Sequence, residues 1–194
     1  MAYHCGSLVG HPYGQTQFDM ALIKANLLGT PQFWLGQQPI SRFPTAKALA
    51  LFVYLVAERD RAHSREMLAT LFWTEQTSAA ARRNLTQTLS RLRKTLGDQG
   101  KQSNLFDVSR RTIQILDSAE IETDLAPFFA HIAQTRTHAH ESLTQCEPCL
   151  AQLRAAVDLV RGDFLSGFTL SDSVLFEEWL LPKREAIHQQ YLAA

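Results

Sequence analysis

The sequence predicts a mainly α-helical chain with small β-sheets, divided into two domains, on three observations. Apolar residues recur at helical spacing through six segments between Thr45 and Tyr191. Short apolar runs bounded by Gly, Pro or polar turns flank the first three of those segments, as strands would. Charge also changes sign along the chain. Residues 20–116 hold 14 Lys/Arg against six Asp/Glu, a net charge of +8, whereas residues 117–194 hold five against twelve, a net charge of −7. The zero net charge of the 194-residue chain is therefore a cancellation. Such asymmetry points to a polyanion-binding part joined to a part with other partners.

Composition excludes several classes. With 45% hydrophobic and 20% charged residues the chain can fill a core. It has no apolar run of about 18 residues, so no membrane span is expected. Residues 1–19 lack the basic start and apolar stretch of a signal peptide; they read as a flexible extension, with Met20 as an alternative start. His4, Cys5 and His11 within it have metal-ligand chemistry but no helical or strand framework. Three cysteines (Cys5, Cys146, Cys149) are too few for a secreted disulfide framework, and a cytoplasmic setting is expected.

In order along the chain, Ile23 to Leu28 reads as a short strand ending at Gly29, and Phe33–Leu35 and Gln38–Ile40 as two more around Gly36. The first helix opens with Thr45 as N-cap and carries Leu49, Phe52, Val53 and Val56 on one face. The second opens at Ser64 and presents Leu68, Leu71 and Phe72. It has no complete capping box, because Met67 stands where Glu or Gln would. The third runs from about Ser78 to Leu96, with Ala81, Leu85, Leu89, Leu92 and Leu96 in a stripe and Gly97 as its stop. A hairpin follows, Phe106/Val108 against Ile113/Ile115 around Ser109-Arg110-Arg111. Sheet, three helices and hairpin make a winged helix-turn-helix domain over residues 20–116. Residues 117–194 read as helices: one over 124–134 with Leu125, Phe128, Phe129 and Ile132, one through Leu150, Leu153, Val157 and Val160 to Gly162, and one from about Ser173 using Leu175, Phe176, Trp179, Leu180, Ile187 and Tyr191. Helix pairs of this kind build a helical (TPR-like) repeat domain. A repeat pattern reaching Ala194 is expected to continue into a longer chain.

In a winged helix the third helix enters the major groove. With its leucine stripe turned inward, Arg83, Gln87, Ser90 and Lys94 lie opposite, and Arg82, Thr86 and Arg93 on the flank. These side chains hydrogen-bond base edges and phosphates. Arg110 and Arg111 at the hairpin tip suit a minor groove or backbone contact. Ser64 and Arg65 open the second helix, where free N–H groups favour a phosphate, and Lys47 near the start of the first could add another. Basic residues also solvate helix faces, so the DNA reading rests on the cluster rather than on any one residue.

The string AKALALFVYLVAERDRAHSREMLATLFWTEQTSAAARRNLTQTLSRLRKTLGD resembles the DNA-binding domain of the bacterial antibiotic-regulatory activators (SARP family), an OmpR/PhoB-type winged helix. LVRGDFLSGFTLSDSVLFEEWLLPKREAIHQQYL is similar to their partner module, the helical bacterial transcriptional activator domain. The resemblance covers about residues 20–194, through SREMLATLFW, RRNLTQTLSRLRKTL and GDFL…FEEW in that order. It implies binding to double-stranded promoter DNA, often as a homodimer on repeated sites, and recruitment of RNA polymerase. In that family the wing and third helix face DNA.

A second concentrated signal is His138-Ala-His140 followed by Cys146-Glu-Pro-Cys149. Two imidazoles and two thiolates are the set a tetrahedral structural zinc prefers. Free thiols, a redox pair and ordinary loop histidines remain alternatives, and His131 on the preceding helix reads as an ordinary histidine.

Two functional classes follow. One is a sequence-specific transcriptional activator that binds DNA through 20–116 and protein through 117–194. The other is an interaction scaffold in a multidomain regulator, without direct DNA binding. An enzyme is not expected: the sequence has no Ser/His/Asp or Cys/His set in recognisable context and no GxxxxGK[ST] phosphate loop. Asp158, Asp163, Asp172, Glu177 and Glu178 read as a solvated acidic run.

Overall fold

The computed structural model describes residues 23–98, 104–139 and 142–194, so the expected extension over 1–19 and His140 lie outside the described residues. β1 (Ile23–Asn26) buries Ile23 and Ala25 and turns Lys24 outward. β2 (Gln32–Leu35) pairs antiparallel with β1 and with β3 (Gln38–Pro39).

α1 (Ala46–Ala57) starts where Thr45 Oγ1 accepts from the Ala48 N–H at 3.1 Å. Its burial is wider than the expected stripe: Ala48 and every residue from Ala50 to Val56 are buried. Leu49, expected inside, is only partly covered. A helix apolar all round must be covered all round. Phe52 packs at 5.8 Å between ring centroids from Phe33 of the sheet, and Tyr54 at 4.9 Å from Trp179 near the other end of the chain.

β4 (His63–Ser64) leads into α2 (Arg65–Phe72), whose N-cap Ser64 accepts from the Met67 N–H at 3.4 Å. α3 (Ser78–Thr95) buries Ala81, Leu85, Leu89 and Leu92, with Leu96 buried just beyond. Gly97, at φ 70°, ends it in the left-handed conformation that glycine favours. β5 (Phe106–Val108) and β6 (Thr112–Ile115) form the wing, and β4 adds to β6 to give the sheet order β4-β6-β5. Ser109 Oγ accepts from the Arg111 and Thr112 N–H groups at 3.0 and 2.8 Å and fixes the wing tip.

β7 (Ile121–Thr123) departs from the expectation of a wholly helical second half. It runs parallel to β1, Ile23 opposite Ile121, and completes the order β3-β2-β1-β7. Three residues are too few to display alternation in a sequence. The N-terminal sheet thus takes a strand from beyond Leu116.

α4 (Leu125–Thr137) and α5 (Glu147–Asp158) pack as a pair joined by a 3-10 turn over Leu143–Gln145. α4 runs past Gln134, and α5 stops short of Gly162. α6 (Val174–Leu192) lies on α2 of the winged helix. There Ser173 Oγ donates to the Leu71 carbonyl at 2.6 Å and the rings of Phe72 and Phe176 meet at 5.5 Å.

The two parts share one contiguous core, which joins Ile23, Phe52 and Phe72 to Phe164, Phe176 and Leu180. A second seam runs along the end of β1. Leu28 O accepts from the Arg161 N–H at 3.0 Å, Leu27 O from Leu165 at 2.9 Å and Gly29 O from Ser166 at 2.9 Å. A Cβ on Gly29 (φ 131°) would come within 3.1 Å of Arg161 Cβ, so the close approach requires glycine. Leu165 takes φ 53°, uncommon for leucine. Arg184 steadies that turn by donating to the carbonyls of Phe164, Leu165 and Phe168 at 2.8, 2.6 and 2.8 Å. Among the described residues no helix is long and apolar enough to cross a membrane.

Candidate nucleic-acid interface

Because the leucine stripe of α3 is buried, the opposite face of the helix is committed to the surface. Arg82, Arg83, Thr86, Gln87, Ser90 and Lys94 are all exposed there. Between this face and β5 of the wing lies a groove of about 520 Å³, lined by Arg65, Thr86, Ser90, Arg91, Arg93 and Lys94 on one side and Val108 on the other. Arg65 ties its walls together. Its N–H donates to the Arg111 carbonyl at 2.8 Å and its Nη2 to Thr86 Oγ1 at 2.8 Å, so α2, α3 and the wing are held in one register. Thr86 in turn donates to the Arg82 carbonyl at 2.9 Å, and Arg82 Nε to the Ser78 carbonyl at 3.2 Å. Arg110 and Arg111 stand exposed at the tip.

The remaining sequence candidates have structural duties. Arg93 Nε donates to Asp98 Oδ2 at 2.8 Å, and Asp98 Oδ1 accepts from the Asn104 N–H at 2.9 Å, which fastens the end of α3 to the chain entering the wing. Ser64 caps α2 with its side chain. Lys47 sits away from the groove. Its Nζ is 2.9 Å from Asp172 of the second half and 5.5 Å from the centre of the Trp73 ring, and its side chain is 15% exposed.

Arg91 is exposed and lines both the wing-side groove and a second one beside α1 that also holds Gln87, Lys47 and Asp172. It was absent from the sequence candidates. The signal for it was available: Arg91 follows Gln87 by four residues and Arg83 by eight, one ridge on a 3.6-residue helix.

Of the predicted metal ligands, His138, Cys146 and Cys149 come together, their ligand atoms all within 4.8 Å of one another. Burial pushes the Cys149 thiol up from its ordinary pKa, and Cys146 beside it pushes the same way. His131 is apart from them, its Nδ1 2.5 Å from Gln152 Oε1.

Comparison with known proteins bears on this surface directly. Residues 42–112 match the family described as "Transcriptional regulatory protein, C terminal". The matched segment runs from just before α1 to the start of β6, and it carries α3 whole. Among solved structures the chain is similar to Mycobacterium tuberculosis EmbR, determined in complex with a low affinity phosphopeptide, at a TM-score of 0.67 and 24% identity over 88% of this chain and 44% of that one. The chain therefore spans less than half the length of that structure. No curated protein matches it. The likeness to EmbR bears out a winged helix followed by a helical domain. The family match, in turn, makes the segment that carries α3 similar to a domain of transcriptional regulatory proteins, in keeping with the resemblance to the antibiotic-regulatory activators.

Proposed function

Starting from a winged helix of the transcription-regulator type, we propose that this chain is a sequence-specific activator module acting in the cytoplasm on double-stranded promoter DNA. α3 lies in the major groove. Arg83, Gln87 and Ser90 reach base edges, Arg82, Thr86, Arg91 and Lys94 hold the flanking phosphates, and Arg110 and Arg111 enter the neighbouring minor groove or grip its backbone. The observation that carries this reading is the ridge Arg83–Gln87–Arg91, exposed along one side of a helix whose other side is sealed in the core. Residues 117–194 serve as the protein-contacting half, with RNA polymerase as the partner and a homodimer on repeated sites as the assembly.

Salt-dependent binding to a promoter library tests this. Affinity should fall steeply as salt rises, by a log–log slope of about −0.9 for each phosphate neutralised. Arg83/Arg91/Lys94→Ala should lose both the affinity and part of that slope. Wild-type binding by the triple variant, with its fold intact by circular dichroism, would exclude this face.

A further inference from the structure

We propose that His138, Cys146 and Cys149 form a structural zinc site that clamps the loop end of the α4–α5 hairpin. His138 is the C-cap residue of α4, Cys146 the N-cap residue of α5, and Cys149 lies in the first turn of α5, fully buried. One imidazole nitrogen faces both sulfurs: His138 Nδ1 is 3.0 Å from Cys149 Sγ and 3.3 Å from Cys146 Sγ. Around a tetrahedral zinc, with Zn–S and Zn–N bonds of about 2.3 and 2.0 Å, a nitrogen and a sulfur ligand stand about 3.5 Å apart and two sulfurs about 3.8 Å. The three atoms already lie within half an ångström or so of the first spacing, and inside 4.8 Å for all pairs. They supply three corners of that tetrahedron. Two thiolates and an imidazole select zinc over the hard, oxygen-seeking cations.

Position on the hairpin gives the site its purpose. The end of the pair nearest the sheet is anchored by Leu125, Phe128, Ile132 and Ala156, all part of the contiguous core. At the far end Cys149 and Leu153 are buried but stand outside that core. The start of α5 also has no side-chain cap. A hairpin end with so little apolar burial is where small domains use a metal as a staple. Both cysteines are thiols. A disulfide would join two positions on the same turn and leave His138 without a role, whereas a metal joins α4 to α5. Binding Zn²⁺ releases the two thiol protons to solvent and leaves two thiolates on the metal, both at the N-terminus of α5, where the helix dipole favours negative charge.

The test uses the full chain purified without chelators, with zinc measured by elemental analysis. About one equivalent per chain is expected, retained by Cys5→Ser and lost by Cys146→Ser and by His138→Asn. These two positions are not fully buried, so their variants should fold; Cys149→Ser is the buried companion. Replacement by Co²⁺ should give the visible absorption of a tetrahedral thiolate site, and a strong chelator should lower the melting temperature of the wild type but not of the two variants. Zinc far below one equivalent with all three thiols of the chain titratable, a Cys146–Cys149 disulfide by mass, or zinc that survives both variants would each overturn the proposal.

Discussion

Lys183 Nζ lies 2.6 Å from Glu58 Oε1, and Trp179 Nε1 donates to the same oxygen at 3.1 Å. A carboxylate at the end of α1 is thus gripped twice by α6, some 121 and 125 residues further on. The attraction runs against the charge asymmetry of the two halves, because here the acid belongs to the basic half. Burial alone would raise the Glu58 pKa; the hydrogen bonds from Lys183 and Trp179, with the charges of Lys183 and Arg61, outweigh it and hold the group below its ordinary value of 4.5. A lowered folded-state pKa stabilises fully above the unfolded value and is lost as pH falls through the folded one. Stability should therefore drop in the acid range below 4.5, and Glu58→Gln should flatten that drop while costing about 1–2 kcal/mol at neutral pH, read from urea midpoints.

Asp124 does not cap its own helix. Its Oδ1 accepts from the Leu27 N–H at 2.7 Å, and its Oδ2 from the Leu28 N–H at 2.9 Å and from Arg161 at 3.2 Å. Asp124→Ala would leave two backbone donors without their buried acceptor. We expect a loss of about 2–4 kcal/mol in chemical denaturation, against under about 1 kcal/mol for the exposed pair Arg154–Glu147 severed by Glu147→Ala.

Lys47 should behave as an interdomain contact rather than a phosphate contact. Lys47→Ala is expected to leave the salt slope of DNA binding unchanged. If Lys47 neutralised a phosphate, the slope would shrink by about 0.9.

Arg91 and Arg93 should separate in the same assay. Arg91→Ala should weaken DNA binding and reduce the salt slope without changing the melting temperature. Arg93→Ala should lower the melting temperature as well, because it frees the 98%-enclosed Asp98 carboxylate of its guanidinium partner at 2.8 Å.

Much of the winged helix was legible because its signals are local. Thr45 and Ser64 cap where hydroxyls precede apolar periodicity, Gly97 stops α3 where a left-handed residue is needed, and the leucine stripe of α3 faces the core. What escaped depends on partners far away in sequence. β4 and β7 are too short to alternate and exist because β6 and β1 offer them an edge. The full burial of α1 needs Trp179 on its far side, which no window of α1 contains. At the candidate interface, the exposed face of α3 followed from its buried one. The engagement of Lys47 with Asp172 is a tertiary fact and left no trace in local pattern.

The parallel pairing of Ile23 with Ile121 also sets an order of events during synthesis. β1 leaves the ribosome early but must wait for almost a hundred residues before its neighbour emerges, and longer for Arg161 and Leu165 to meet the carbonyls of Leu28 and Leu27. Until then one edge of β1 stays open, although α1 to α3 and the wing have already been made. The sheet of the winged helix is therefore complete only with residues from beyond the wing, and a chain cut after Ile115 would leave that edge of β1 unpaired.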